Sequence, residues 1–389
     1  MSPDAEARKL CYVLPSYEAG SDAHYAHVPR LLEEIGRQVR VGLIIERAKG
    51  RPSLPHVAEV HVQRYGGGRS PLRLLEMAWL AARMRLKGYR KFFVRISTTA
   101  ALPLLLVTRL SGGELYVWRS GQGEDQLAGW SLTWPAIRDK LTNQLPFWLA
   151  ARLAHRFVTG PESMVDYFAR QWGIPRRQIM VLYNDIDLAR FGARDEEEAG
   201  GLRRELGVPE GCQLVLCVHR LSPVRRGLLY FPRLIEEVVR RHPRAFFLLV
   251  GGGPEEAAVR ESIERSAAGG RVLMLGSVPN AGIERLYQAA DLFIMPSYAE
   301  GFPRVILEAM AAGLPIAATD AGGTRDIVGE RQRRFVVPKH DVDLLAQRIC
   351  ELLADPEERR ELAAENLARV ERYSVQNVAR MYVDRIFAS

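Results

Sequence analysis

Two carboxylates, Glu300 and Glu308, stand eight positions apart in the stretch EGFPRVILEAMAAGLPIAATDAGG, residues 300–323. Gly301, Phe302 and Pro303 follow directly on the first of them. An apolar, strand-like run, Leu292–Met295, precedes the pair and ends in Pro296 and Ser297. An Ala-rich helical stretch follows and stops at Gly313. This order predicts strand, tight loop and helix, with the loop at the helix N-terminus. Backbone N–H groups at such a terminus accept an anion such as a nucleotide diphosphate. Carboxylates next to a phosphate site accept charge-assisted hydrogen bonds from sugar and ribose hydroxyls. The chemistry that fits both features is recognition of a nucleotide sugar.

The arginines upstream agree with it. Arg220, Arg225 and Arg226 lie in HRLSPVRRG, residues 219–227, just after the strand-like CQLVLCV. Alone they would read as a solvated basic loop. Beside the carboxylate segment they read as guanidinium ligands for a diphosphate, which they can hold in bidentate fashion. Gly251, Gly252, Gly253 and Pro254 follow the run FFLLV, but Glu256 stands where a dinucleotide fingerprint needs its third glycine, so that motif fails.

The whole segment resembles the signature of retaining glycosyltransferases of family 4, which have the GT-B fold. The resemblance runs through LGSV (275–278), LYQAAD (286–291), MPS (295–297) and GGTRDIV (322–328), and upstream to residues 219–227 and LVGGGPE (249–255). It covers the C-terminal half nearly continuously and the N-terminal half only in outline. It implies that Glu300 contacts the transferred sugar and Glu308 the ribose hydroxyls. Amides around Gly301, Phe302, Pro303, Arg304 and Val305 would meet sugar hydroxyls and phosphate, with Gly252 lining the nucleotide pocket. Val278 and Asn280 match the segment whose backbone meets the base. Arg220 and either Arg225 or Arg226 would hold the diphosphate: spacing favours Arg225, and adjacency to Gly227 favours Arg226. The family usually has Lys at that second position.

Two departures fall in the N-terminal half. Gly20, in PSYEAGSDAH, matches the family's glycine-rich loop, with Ala19 in place of its partner glycine. Asp22 and His24 there read equally as a helix cap with a surface histidine, or as cleft residues on the acceptor side. Arg119, in Trp118-Arg119-Ser120, stands where many members have histidine; a guanidinium cannot act as a base but could hold acceptor phosphate. Asn184-Asp185-Ile186-Asp187 resembles a turn that ends the N-terminal domain and reads as a shaping element. Asp341-Val342-Asp343 matches a D-x-D metal motif superficially, but it opens a helical run and reads as an N-cap. No metal and no cofactor is expected beyond a UDP- or GDP-sugar donor.

The elements around these residues alternate strand and helix patterns through the chain, which argues for α/β architecture with parallel sheets. Strands are expected at KLCYVLP, VRVGLIIE, VAEVHVQ, KFFVRIS, LLLVTRL and ELYVWRS, with helices over residues 25–37 and 72–86. A second series begins at CQLVLCV. The expectation is GT-B: an acceptor-binding Rossmann-like domain over residues 1–191 and an acidic, Gly-containing linker over 192–204. A nucleotide-sugar domain over 205–372 follows, then a final helix in 373–389 crossing back to the first domain. Ligands in such sheets bind outside the carboxyl ends of the strands, here in the cleft between domains.

At 389 residues the chain can bury two cores. Residues 1–190 carry 27 Lys and Arg against 17 Asp and Glu, a net of +10, leaving 27 against 29 beyond. Nothing interleaves aromatics with bases in a nucleic-acid motif, so nucleic acid is not expected as a partner. An anionic membrane surface or a phosphate-bearing acceptor fits a basic half-molecule better. Residues 130–156, with Trp134, Phe147 and Trp148 among leucines, read first as a core helix and second as an interfacial segment. No run is apolar enough for a signal peptide or a membrane span, and Cys11, Cys212, Cys217 and Cys350 lack metal-ligand spacing. The expected protein is thus cytoplasmic, with buried reduced thiols, or peripheral on the inner face of the plasma membrane. It would transfer a hexose with retention to a lipid-linked or cell-surface glycan. A sugar-nucleotide epimerase of the same fold and a non-catalytic sugar-nucleotide binder are the alternatives.

Overall fold

The computed structural model describes residues 7–18, 27–50, 52–66, 71–121, 144–192, 195–222 and 230–388. It divides into two compact units, residues 1–185 with 375–389, and residues 186–374.

In the first unit β-branched and aromatic runs build seven parallel strands: β1 (Lys9–Leu14), β2 (Arg40–Ile45), β3 (Val57–Val62), β4 (Lys91–Arg95), β5 (Glu114–Trp118), β6 (Arg156–Thr159) and β7 (Ile179–Val181). Their spatial order is β3-β2-β1-β4-β5-β6-β7, and every pairing is parallel. The central strands read as continuous apolar runs because both faces are covered by helices, among them α1 (Val28–Gly36), α2 (Leu72–Leu86), α3 (Thr98–Ser111) and α4 (Leu145–Leu153). The run LLLVTRL, expected as a strand, lies instead in α3. Ser97 caps that helix by accepting from Ala100 N–H at 3.1 Å, and left-handed Gly112 ends it. An apolar run this short fits a buried helix as well as a strand, and here the caps on either side decide. The last helix, Val375–Phe387, has the expected bounds and belongs to this unit, where it packs on α1.

The second unit repeats the plan with β8 (Gln213–Val218), β9 (Ala245–Val250), β10 (Val272–Gly276), β11 (Leu292–Met295), β12 (Ile316–Thr319) and β13 (Val336–Val337). The order is β10-β9-β8-β11-β12-β13, again parallel. Both sheets are therefore doubly wound, with the strand order reversing beside β1 and β8 respectively.

The expected linker is corrected. Residues 196–205 form a helix, α5 (Glu196–Glu205), whose cap Asp195 accepts from the N–H groups of Glu197 and Glu198 at 2.9 and 3.1 Å. Three glutamates in its first turn and Arg203 and Arg204 in its last complement the helix dipole. Arg203 fixes it to the unit through the Ala289 carbonyl at 2.7 Å and Asp291 at 2.7 Å. Packing thus overrides the two glycines that suggested a linker. The chain passes between units after Asp185 and after Ser374, not near 192 and 372. Ile186 and Ser374 pair in a parallel bridge that ties the two ends of the second unit together.

Candidate active site

In a doubly wound sheet the crevice opens where the strand order reverses, between β8 and β11 in the second unit. The residues that follow these strands are His219, Arg220 and Leu221 on one side, and Pro296 to Glu300 on the other. Glu300 is buried there, and Ser297 Oγ donates to its Oε1 at 3.0 Å. Thr319, at the end of β12, in turn donates to the Ser297 carbonyl. His219 is also buried; its Nδ1 lies 2.9 Å from the Arg220 carbonyl oxygen, which can only accept, so Nδ1 carries a proton. Its Nε2 faces Glu300 Oε1 at 3.9 Å. A buried carboxylate is thus aimed and held by neighbours on three strand ends.

Two glycine loops allow this approach. Gly251 has φ +130°, and a Cβ on it would run into the His219 carbonyl. The Gly251–Gly253 turn therefore lies flat on the backbone after β8, with Leu221 N–H donating to the Gly252 carbonyl at 3.0 Å. Gly322, at φ +57°, lies equally close to the Glu300 carbonyl, and Gly323 N–H donates to Gly301 O at 2.9 Å. The loop carrying Glu300 is clasped from behind by residues 322–323.

Helix α6 (Arg304–Ala311) starts directly after this loop, with Pro303 as its N-cap residue. Proline's extended ψ sets the entry, and the first amides of the helix, those of Arg304 and Val305, point out of its N-terminus. Arg304 is half-buried, and its Nε has no hydrogen-bond partner among the described residues. Phe302 is buried edge-on against Tyr373. One turn along α6, Glu308 accepts a 2.8 Å hydrogen bond from Tyr287, whose ring stacks on Phe293. Burial, and then the adjacent Glu308, hold the Tyr287 hydroxyl far above its ordinary range, so it stays a donor.

The structure brings together, on one edge of one sheet, Arg220, Gly252, Gly301, Phe302, Pro303, Arg304, Val305, Glu300 and Glu308. Arg220 is exposed at the rim. Val278 and Asn280 follow β10 on the same edge, and Arg190 donates to the Asn280 carbonyl while pairing with Glu284 at 2.8 Å. Gly20, His24, Arg225 and Arg226 lie outside the described residues. Asp341 caps the helix Val342–Ala354 by accepting from Leu344 N–H at 3.0 Å, and Asp343 pairs with Arg233 at 2.8 Å, so the D-x-D pair is a cap and a surface ion pair. Sequence reasoning missed three supports, His219, Ser297 and Tyr287. All three stand inside quoted motifs, and the first two follow strand ends, which is the signal that could have found them.

Arg119 follows β5 in the first unit. Its guanidinium sits over the rings of Trp172 and Phe147, 5.0 and 5.5 Å from their centroids, and burial lowers its pKa. Beside it the structure shows an unforeseen group: fully buried Arg95 lies over the Trp118 ring at 4.0 Å and donates to Tyr12 Oη at 3.4 Å and to Asn184 Oδ1. Burial pulls the pKa of Arg95 down, but Tyr12, Tyr382 and Asp185 around it raise it above its usual range. Glu46, after β2, is buried and accepts from the hydroxyls of Ser97 and Thr99. Cys11 and Cys217 are buried free thiols, whereas Cys212 and Cys350 are half-buried.

Comparison with known proteins gives the same picture. Residues 198–368 match the family model of glycosyl transferases group 1. The chain is 32% identical over 217 residues to the 2-deoxystreptamine N-acetyl-D-glucosaminyltransferase of Streptomyces fradiae, covering 55% of this chain and 51% of that protein. It is 30% identical over 233 residues to the D-inositol 3-phosphate glycosyltransferase of Nocardia farcinica, covering 58% and 51%. The chain thus spans about half the length of these relatives. Among solved structures it superposes on HepE of Anabaena in complex with UDP, with a TM-score of 0.73, 20% identity, and coverage of 98% of this chain and 100% of that one. The sucrose-phosphate synthase of Thermosynechococcus elongatus gives 0.74, 20%, 98% and 100%. The match to the glycosyl transferases group 1 is thus confined to residues 198–368, and the chain as a whole has a fold of the GT-B type.

Proposed function

We propose that the chain is a retaining, metal-independent glycosyltransferase that moves a hexose from a UDP- or GDP-sugar to a glycan acceptor, lipid-linked or displayed at the cell surface. The observation that carries this reading is Glu300, buried at the strand-order switch of the second sheet and aimed by Ser297, with the N-terminus of α6 opening beside it. A carboxylate fixed in that place is suited to grip hydroxyls of the transferred sugar.

The diphosphate would lie across the first amides of α6 and Arg220, joined by whichever of Arg225 and Arg226 reaches it. These groups place positive charge where the leaving group develops its negative charge, which is the largest contribution a protein makes to such a transfer. No carboxylate is set as a nucleophile in this reading, so the acceptor attacks on the face the diphosphate leaves, and the departing phosphate oxygen takes its proton. Glu308, turned by Tyr287, would receive the ribose hydroxyls. Val278 and Asn280 would present backbone to the base. On the first unit His24 and Arg119 are the acceptor-side residues of this reading, and Gly20 would let the backbone approach the donor phosphate. Work at the inner face of the plasma membrane follows if the acceptor is held by a lipid. HepE, bound to UDP, shares the fold, and this supports a nucleotide donor.

The test is a melting-temperature panel with UDP, GDP and ADP and then their sugars, since a ligand of the folded state raises its melting temperature. It is followed by transfer assays on Glu300→Gln. A shift with one nucleoside diphosphate, and a loss of transfer of at least about a hundredfold in the variant, is the expected result. Transfer undiminished in Glu300→Ala would overturn the reading.

A further inference from the structure

Among the described residues, three neighbouring helices of the first unit leave an adjoining apolar face uncovered. Helix α2 packs against α3 and α3 against α4. Each buries one side on the sheet, through Met77, Leu80 and Met84 in α2, Leu104 and Leu105 in α3, and Phe147 and Ala150 in α4. On the side turned away, leucines recur at the four-residue spacing that makes a stripe along a helix. Leu75 and Trp79 are 67% and 58% exposed on α2, Leu106 and Leu110 58% and 80% on α3, and Leu149 and Leu153 40% and 42% on α4. Ten of the fifteen large apolar residues that are exposed among the described residues lie on these three helices. Scattered single leucines need no explanation, but three adjoining stripes do.

The charge on the three helices themselves is almost all of one sign. The only acid in the three helices is Glu76, and its carboxylate is turned aside to accept from the backbone of Arg64 and Tyr65 at 2.8 and 3.0 Å. At the C-terminal ends of α3 and α4 a cavity of about 600 Å³ opens, lined by Arg109, Arg152, His155, Arg156 and Arg177, with no Asp or Glu among the described residues of its wall. Leu153 belongs both to the α4 stripe and to this wall. Guanidinium forks of this kind suit phosphate oxygens.

We propose that this face docks on an anionic phospholipid bilayer, with the leucines and Trp79 in the headgroup–acyl boundary and lipid phosphates in the arginine-lined cavity. The proposal rests on the reading that the acceptor is presented at a membrane, and it names the surface that meets it. Charge selects this occupant over a second copy of the chain, because two such faces brought together would oppose cation to cation. The leucine stripes select it over nucleic acid, which gives apolar side chains nothing to bury in.

The test is flotation of the full chain with vesicles of phosphatidylcholine alone and of phosphatidylcholine with phosphatidylglycerol. Stronger binding to the anionic vesicles, falling as salt rises, is expected. Leu106→Ser/Leu110→Ser/Leu149→Ser should lower binding to the anionic vesicles at least about tenfold. Arg152→Gln/Arg177→Gln should lower it roughly fivefold for each charge removed. All five positions are exposed, so both variants should keep the wild-type melting temperature and its shift with nucleoside diphosphate. Failure of the wild type to prefer anionic vesicles, or undiminished binding by both variants, overturns the proposal. So does sedimentation equilibrium showing a dimer that the leucine variant dissociates. Vesicle binding that persists while UDP and GDP give no shift supports the docking face and sinks the donor reading instead.

Discussion

Glu46 and Glu300 are both buried at the carboxyl ends of parallel strands, yet the residues around them give them different work. The Ser297 hydroxyl donates to Glu300 at 3.0 Å, with His219 3.9 Å away. Ser297→Ala should leave the carboxylate in place but short of one hydrogen bond, lowering kcat roughly tenfold with little change in donor KM. Steady-state kinetics on both substrates checks this, and an unchanged kcat would remove Ser297 from the site. Tyr287→Phe releases Glu308 and should cost about 1 kcal/mol of stability while weakening nucleotide binding, read by denaturant melts and by titration with UDP or GDP. Glu46 is held by Ser97 and Thr99, and burial raises its pKa above the ordinary 4.5 in spite of those two hydrogen bonds. A carboxyl with a raised folded pKa binds its proton more tightly folded than unfolded. Its contribution is therefore complete below pH 4.5 and is lost as pH rises through the folded value. Glu46→Gln, which keeps the shape without the charge, should then melt higher than wild type near neutral pH, by a margin that closes toward pH 4. A margin independent of pH would show that the carboxyl does not titrate on unfolding.

At the scale of elements, the turns set the site more than the regular structure does. Gly251 lies where a side chain would meet the His219 carbonyl, and its φ of +130° is one that other residues rarely take. Gly251→Ala should force the loop off the strand end and destabilise the second unit by roughly 2–4 kcal/mol, with loss of nucleotide binding. A urea melt and a nucleotide titration read the two effects, and wild-type values in both would mean the loop bears no load. Asp195→Ala, at the cap of α5, is milder, about 1 kcal/mol in the same melt and no change in binding. These elements also show what the sequence makes legible. The bounds of α2 and of the last helix, both strand series and the carboxylate loop followed from periodicity, turn residues and the resemblance. Helix α5 did not, because its Gly200-Gly201 pair reads as a linker until Arg203 finds Ala289 and Asp291, partners more than eighty residues away. The strand reading of LLLVTRL failed for a local reason, since a short apolar run fits either structure when buried. Arg95 could not be foreseen as a buried charge, because its partners come from elsewhere in the sequence, Tyr12 from within β1 and Asn184 from the segment after β7.

At the scale of the molecule, the first unit is discontinuous in sequence, and its last piece is a single helix. Val378, Tyr382, Val383 and Ile386 of that helix are buried, Tyr382 against Phe93 with ring centroids 5.5 Å apart. Tyr116 Oη donates to the Ile386 carbonyl at 3.3 Å, and the helix lies along α1. Exposing those four side chains would forfeit roughly 8 kcal/mol, which is comparable to the stability of an entire domain. Truncation after Ser374 should therefore unfold the first unit. The second unit keeps its own closure, because Ile186 and Ser374 pair at its two ends and Ile186 N–H donates to Tyr373 O at 2.9 Å. The two outcomes can be read separately: all six tryptophans lie within residues 1–185, so their fluorescence reports the first unit alone. The truncated chain should show red-shifted tryptophan emission with no cooperative fluorescence melt. Its far-UV circular dichroism should still show one cooperative transition, and the nucleoside diphosphate that stabilises the full chain should raise that midpoint. Native-like tryptophan emission in the truncated chain would mean the final helix is dispensable to the first sheet. Loss of the remaining transition would mean that the second unit cannot stand without its neighbour.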